Sequence, residues 1–248
     1  MSELEKRPNV TLLQLDVTST ADLAFAVAAV RSATAGKLDY LVNNSGRQYW
    51  MPLLDSDLDE GKALFEVNFW GVLRTIQSFA PLLVAEEGHA DGGVVVNIGS
   101  IVASLYTPFS SIYNASKGAI HVFSESLRLE LAPLGIKVLT VVTGAVDTQI
   151  STNSPEPILP DTSRYHAAQE HLNKLVSSDD GIKRTKASDF ADTVVKDILA
   201  GATGKLWRGT YAGMARYLPG LLPMSVLDGL LLNGTGLDKV AAEAKKAS

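Results

Sequence analysis

The chain has 248 residues, 22 Lys plus Arg against 27 Asp plus Glu, a formal net charge of −5 and no cysteine. The length suits one α/β domain spanning residues 1–248 and able to bury a core. An acidic balance without a Lys/Arg cluster argues against nucleic acid as a partner. The missing cysteines exclude disulfides, thiolate metal sites and cysteine nucleophiles, and fit a reducing, cytoplasmic compartment. The start, Met1-Ser-Glu-Leu-Glu-Lys-Arg, lacks the apolar stretch of a secretory signal.

Asn9 to Val17 is a short apolar run and predicts a strand ending at Asp16-Val17; Ser19-Thr20 then cap a helix through Ala33. Leu38 to Gly46 reads as an apolar strand running into Asn43-Asn44-Ser45-Gly46, a polar strand end and glycine turn of the kind where open α/β sheets place ligands. Asp59 to Val84 is helical, with Asn68 inside it, where asparagine has no local advantage. Glu86 to Gly93 is a polar loop, and Val94 to Ser100 a buried-type strand ending in glycine and serine.

Phe109 to about Ala132 predicts a long helix stopped by Pro133 and Gly135, and Lys137 to Gly144 another strand, followed by Ala145 to Thr148. Ile150 to Pro160 reads as a loop and the stretch to Val176 as a polar helix; together residues 151–186 form a candidate lid. Ala187 to Ala200 predicts a helix, Leu206 to Ala212 a last strand, and Leu237 to Ser248 a frayed helix. The apolar stretch Tyr217 to Leu232 is interrupted by Pro219, Gly220, Pro223, Asp228 and Gly229, which makes it a poor spanning helix. Strands alternating with helices imply a parallel sheet covered on both faces.

The chemistry concentrates in the long helix. Tyr113 and Lys117 are four residues apart, on one helical face. A tyrosine has a pKa of about 10 and is a poor base; a neighbouring ammonium favours the phenolate and lowers that value, giving a group that exchanges a proton with an alcohol or carbonyl oxygen. The spacing alone is common in helices. The histidines His89, His121, His166 and His171 show no metal-ligand pattern and read as surface or packing residues, and Asp147 and Asp161 read as turn or cap residues.

Four separated signatures occur in one order: Asn43-Asn44-Ser45-Gly46 after a strand, Asn68 in the next helix, Ser100 thirteen residues before Tyr113, and Tyr113 with Lys117. On these the sequence resembles the short-chain dehydrogenases/reductases over nearly its whole length. The resemblance implies a Rossmann-like doubly wound fold and an oxidoreductase that reduces a ketone to a secondary alcohol with NADPH, NADH being the other candidate. It implies Tyr113 as acid/base, Lys117 as the group that tunes Tyr113 and binds the nicotinamide ribose, and Ser100 as the holder of the substrate oxygen. Asn68 would keep a water in a proton relay behind Lys117. Asn44 and Gly46 would line the adenosine side of the cofactor, Asp16-Val17 would approach the adenine, and Gly144, Val146 and Thr148 would contact the nicotinamide amide and phosphates.

Thr143 stands where the family usually has proline, and Ser45 where it has alanine. A larger departure is the family's opening strand, Gly-x-x-x-Gly-x-Gly turn, helix and second strand, a unit of roughly 30 residues that seats the pyrophosphate and carries the charge choosing NAD or NADP. Nothing before Asn9 supplies it. The expectation is therefore an N-terminally truncated version of the fold, lacking the first two strands and first helix, with two apolar edges exposed. Either its start lies upstream or it has lost cofactor binding.

Within the family, Leu38 to Asn44, Ser111 to His121, Thr143 to Val146, Val195 to Leu199 and Arg208 to Thr210 resemble NADPH-dependent 1-acyldihydroxyacetone-phosphate reductases. That likeness implies an acyl substrate and lipid metabolism. The other readings are a polyketide, steroid or retinoid-like substrate, or a silent homologue acting through subunit association. Residues 213–248 form a C-terminal apolar segment and tail, with Tyr217 to Leu232 a candidate for docking at endoplasmic reticulum or lipid droplets or for packing against another subunit.

Overall fold

The computed structural model describes residues 2–84, 92–150 and 154–246. Most of the expected loop from Glu86, with His89, and residues 151–153 of the expected lid lie outside them. In chain order the elements are α1 (Ser2–Glu5), α2 (Thr20–Ala33), β1 (Tyr40–Asn43), α3 (Leu58–Phe65), a π-helical segment (Glu66–Gly71), α4 (Val72–Leu83), β2 (Val94–Ile98), α5 (Ser111–Leu131), β3 (Lys137–Thr143), β4 (Val146–Asp147), α6 (Gln169–Ser177), β5 (Thr185–Lys186), α7 (Ala187–Leu199), β6 (Gly204–Arg208), α8 (Ala212–Leu221), α9 (Met224–Leu232) and α10 (Leu237–Lys246).

The main sheet is parallel in the order β1-β2-β3-β6, and β4 pairs with β5 in a separate parallel ribbon. Parallel strands joined through helices are covered on both faces, which is why their residues run apolar without alternation. On one face Leu41, Val95 and Val138 pack with Leu23 and Ala26 of α2, Val72, Ile76 and Phe79 of α4, and Ile120 and Leu127 of α5. On the other, Val96, Leu139 and Val141 pack with Val194, Phe190 and Ile198 of α7. The register Leu41↔Val95↔Val138 and Val42↔Val96↔Leu139 puts the two sets on opposite sides.

Local signals set the boundaries. Ser19 accepts from the Asp22 backbone N–H at 3.2 Å and opens α2, and Asp57 accepts from the Asp59 N–H at 2.7 Å to open α3. After α5, Gly135 takes φ 76°, the left-handed conformation that ends a helix at no Cβ cost.

Two sequence expectations are corrected. Asn9 to Val17 forms no strand, because a strand exists only against a neighbour and this segment has no ladder partner among the described residues. Leu13 and Leu15 stay partly exposed, as do Tyr40 and Val42 on the outer edge of β1. A pocket of about 120 Å³ separates Leu15 and Val17 from Leu41 to Ser45. The C-terminal stretch is a docked helix and not a frayed one: Leu237 and Val240 of α10 pack against the cluster holding Leu172 and Leu175 of α6. Bare Gly236 permits this approach, since a Cβ there would lie 3.1 Å from Ala168 Cα.

Candidate active site

The strands β1, β2 and β3 all end at the same edge of the sheet, and α5, packed on one face, brings Lys117 to the end of β2. Beneath the site Asn43 Nδ2 donates to Asn97 Oδ1 at 2.9 Å, and Asn97 Nδ2 donates to Ser124 Oγ at 2.9 Å. Asn97 and Ser124 are fully buried. Each satisfied amide in this line ties one strand to the next or to α5, and an apolar replacement would strand its partner.

Asn68 sits in the π-helical segment between α3 and α4. Such wide turns occur at functional sites. The extra residue answers the question of why asparagine stands inside a helix: its Oδ1 accepts from the Arg47 N–H at 2.8 Å, while its Nδ2 donates to the Arg47 carbonyl at 2.9 Å and to Ser116 Oγ at 3.1 Å. The turn after β1 is thereby fastened to α5. Gly46 faces the same space, where a Cβ would meet Asn68 Oδ1 at 3.4 Å and Lys117 Nζ at 3.8 Å.

Ser100 leaves β2 in extended conformation and accepts from the Val102 N–H at 3.3 Å. Its side chain lies close enough to the Tyr113 hydroxyl to oppose the rise in that group's pKa. Lys117 Nζ stands 6.0 Å from the Tyr113 ring centroid and donates to the Ile98 carbonyl at 2.9 Å. Ser100, Tyr113, Lys117 and Asn68 are thus brought into one site. Phe109, just before α5, holds φ 62°, an uncommon conformation for a bulky residue; its carbonyl accepts from the Met51 N–H at 2.7 Å. Sequence reading gave no sign of this anchor.

The electrostatics differ from the expectation that Lys117 lowers the Tyr113 pKa. Burial pushes Tyr113 up to about 12, the nearby Ser100 side chain opposing, and burial brings Lys117 down to about 8. Desolvation disfavours the charged form of each. Tyr113 is therefore a firmly protonated acid at neutral pH.

The cofactor-side residues divide into two groups. Asn44 and Gly46 follow the C-terminal end of β1, Gly144 follows the C-terminal end of β3, and Val146 opens β4. At Gly144 a Cβ would collide with the Thr210 carbonyl oxygen, so glycine is required for close contact with the chain after β6. Thr148 is exposed, beyond β4. The nicotinamide end of a dinucleotide fits this set: Lys117 would hold the ribose and Gly144 and Val146 the ring amide, with Asn44 and Gly46 toward the adenosine side. The Gly-x-x-x-Gly-x-Gly turn that would seat the pyrophosphate does not occur among residues 1–248. Asp16 spends a carboxylate oxygen on Thr18, accepting from its N–H and hydroxyl, both at 2.8 Å, and these bonds hold its pKa below the usual range; Val17 packs against Gly71.

Around Tyr113 the walls are apolar: Tyr49, Trp50, Met51, Leu64, Phe109, Leu159, Leu172 and Leu175 share one buried cluster with it. Leu159 and α6 come from the expected lid. Tyr165 meets Phe109 edge-on at 6.2 Å, and His171 stands 5.9 Å from the same ring.

Comparison with known proteins accords with this geometry. The short chain dehydrogenase family profile matches residues 1–158. A short-chain dehydrogenase of Penicillium ochrochloron, ptmH, is 39% identical over 237 residues, covering 96% of this chain and 85% of that protein. Among solved structures, a short-chain dehydrogenase from Streptomyces avermitilis superposes with a TM-score of 0.71 at 26% identity, covering 98% of this chain and 84% of the other. Another, from Burkholderia cenocepacia in complex with NADP, gives a TM-score of 0.64 at 26% identity, covering 91% and 82%. The chain belongs to the short-chain dehydrogenase/reductase family of oxidoreductases.

Proposed function

We propose that the protein reduces a ketone on an apolar substrate to a secondary alcohol, with NADPH as donor. The observation that carries this reading is the burial of Tyr113 and Lys117 together, with Lys117 Nζ 6.0 Å from the Tyr113 ring centroid and Ser100 at the end of the neighbouring strand. The nicotinamide supplies hydride when bound. Tyr113 holds the proton for the substrate oxygen, Ser100 orients that oxygen through its hydroxyl, and Lys117 holds positive charge near it. The apolar cluster excludes water.

The finer proposal is a 1-acyldihydroxyacetone-phosphate reductase, supported by the sequence pieces quoted above; a polyketide, steroid or retinoid-like ketone is the rival substrate. The exposed apolar side chains Met214, Tyr217, Leu221, Met224 and Leu230 on α8 and α9 support contact with a lipid surface or a second subunit, in a cytoplasmic enzyme associated with such a surface. No described helix is long and apolar enough to cross a membrane. The test is NADPH and NADH oxidation by the purified chain against a ketone panel that includes 1-acyldihydroxyacetone phosphate. Ketone-dependent oxidation supports the reading, and selective turnover of the acyl phosphate supports the finer one. Cofactor binding with no turnover of any ketone would favour a silent homologue acting through subunit association.

A further inference from the structure

His121 follows Lys117 by four residues and Tyr113 by eight on α5, so the three share a face of the helix. Histidine on a buried helix face is usually packing, but here the ring has a defined task. It is buried, and its Nε2 faces the backbone N–H of Ser100 at 3.4 Å. Two further observations fix the ring there. A Cβ on Gly99 would lie 2.5 Å from His121 Nε2 and 2.9 Å from its Cδ2, and that same Cβ would meet Thr140 Cγ2 at 3.2 Å. Glycine at position 99 thus leaves the space that the imidazole enters, between β2 and β3.

The Gly99 N–H donates to the Val141 carbonyl at 2.8 Å and closes the β2–β3 ladder. Ser100 is the first residue past that ladder. Its N–H must find a partner elsewhere or remain buried without one, and the partner is the imidazole. Its side chain is engaged separately, accepting from the Val102 N–H at 3.3 Å, and lies near enough to Tyr113 to oppose the rise in its pKa.

We infer that His121 is a positioning residue: its neutral imidazole accepts the Ser100 backbone N–H through Nε2 and so aims the Ser100 hydroxyl at Tyr113. The inference rests on the proposed reductase function for its catalytic consequence, and on geometry alone for the contact. Accepting at Nε2 requires the tautomer with hydrogen on Nδ1. The surroundings enforce the uncharged form, since burial and the positive charges of Lys205 on β6 and Lys117 on α5 bring the pKa down to about 4. A protonated ring would turn its own N–H toward the Ser100 N–H.

Two arms test this. In the first, ¹⁵N-edited NMR of the wild-type chain at pH 7 reads the His121 ring. The expected result is an unprotonated Nε2 and a protonated Nδ1, with the Ser100 amide shifting in His121→Phe; a ring charged at pH 7, or protonated at Nε2, overturns the inference. This arm needs no turnover, so a wild-type chain without ketone reduction would refute the function and leave the contact standing or falling separately. In the second, His121→Gln places an amide oxygen near the Nε2 position and should keep kcat within about 3-fold of wild type, whereas His121→Phe should lower kcat about 10- to 100-fold with KM for NADPH unchanged. Wild-type kcat in folded His121→Phe overturns the inference, as does equal loss in both variants. Should His121→Phe fail to fold, the Gln variant and the NMR spectrum decide.

Discussion

The carboxamide of Asn68 grips the peptide of Arg47 from both sides, taking its N–H at 2.8 Å and giving to its carbonyl at 2.9 Å. Asn68→Ala leaves both groups and Ser116 Oγ short of a partner. The expected cost is about 1–3 kcal/mol, read as a lower denaturation midpoint. Asn68→Asp keeps the acceptor but cannot donate to the Arg47 carbonyl, so it should not restore the loss. Equal stability of Asn68→Ala and wild type would remove the clamp from the account.

Tyr113→Phe deletes one hydroxyl from a site otherwise left in place. Turnover should fall about 10²- to 10⁴-fold, the range for a lost general acid, with the NADPH dissociation constant within a few-fold of wild type. Single-turnover rates with saturating cofactor give the measurement. Retained turnover would show that another group delivers the proton.

Lys117 and Tyr113 give the stability profile opposite slopes at alkaline pH. Lys117 is brought from 10.5 to about 8 in the fold, so between those values the unfolded chain binds more protons and stability rises with pH. Tyr113 is raised from 10.0 to about 12; its stabilising contribution is complete below 10 and lost as pH climbs to 12. Lys117→Met should abolish the rising limb and, by removing a desolvated ammonium, raise neutral-pH stability by on the order of 1 kcal/mol even after the Ile98 carbonyl loses its donor. It should also abolish turnover. Urea titrations across the pH series test the sign.

The outer edge of β1, unpaired among the described residues, bears Val42, 52% exposed, and open edges recruit other strands. Val42→Lys should reduce self-association without changing the circular dichroism spectrum. Light scattering across a concentration series is the check, and unchanged scattering would mean that the edge is not the contact.

Much of this architecture can be read from the chain because the apolar period and the punctuation agree. Ser19, Pro133 and Gly135 mark real helix ends, and the runs Val94 to Ile98 and Lys137 to Thr143 are strands. Asn9 to Val17 has the same local character and is not a strand, because pairing depends on a neighbour that composition does not reveal. The site was legible where spacing is helical, as with Tyr113 and Lys117. It was illegible where a distant contact assigns the role: Asn97 needs Ser124, and His121 needs the bare Cα of Gly99. The Tyr113 pKa failed for a related reason, since adjacency to an ammonium can be counted along a sequence but depth of burial cannot.

The wide turn at Glu66–Gly71 amounts to one surplus residue threaded into a continuous helix. Winding this turn into a regular α-helix with every residue kept would swing each position on one side by about 100° relative to the other. Such a regularised helix would keep its apolar stripe on only one of the two helical halves. The phase offset therefore explains how one helix can serve two masters, with α3 turned toward the apolar cluster around Tyr113 through Leu64 and α4 toward the sheet through Ile76 and Phe79.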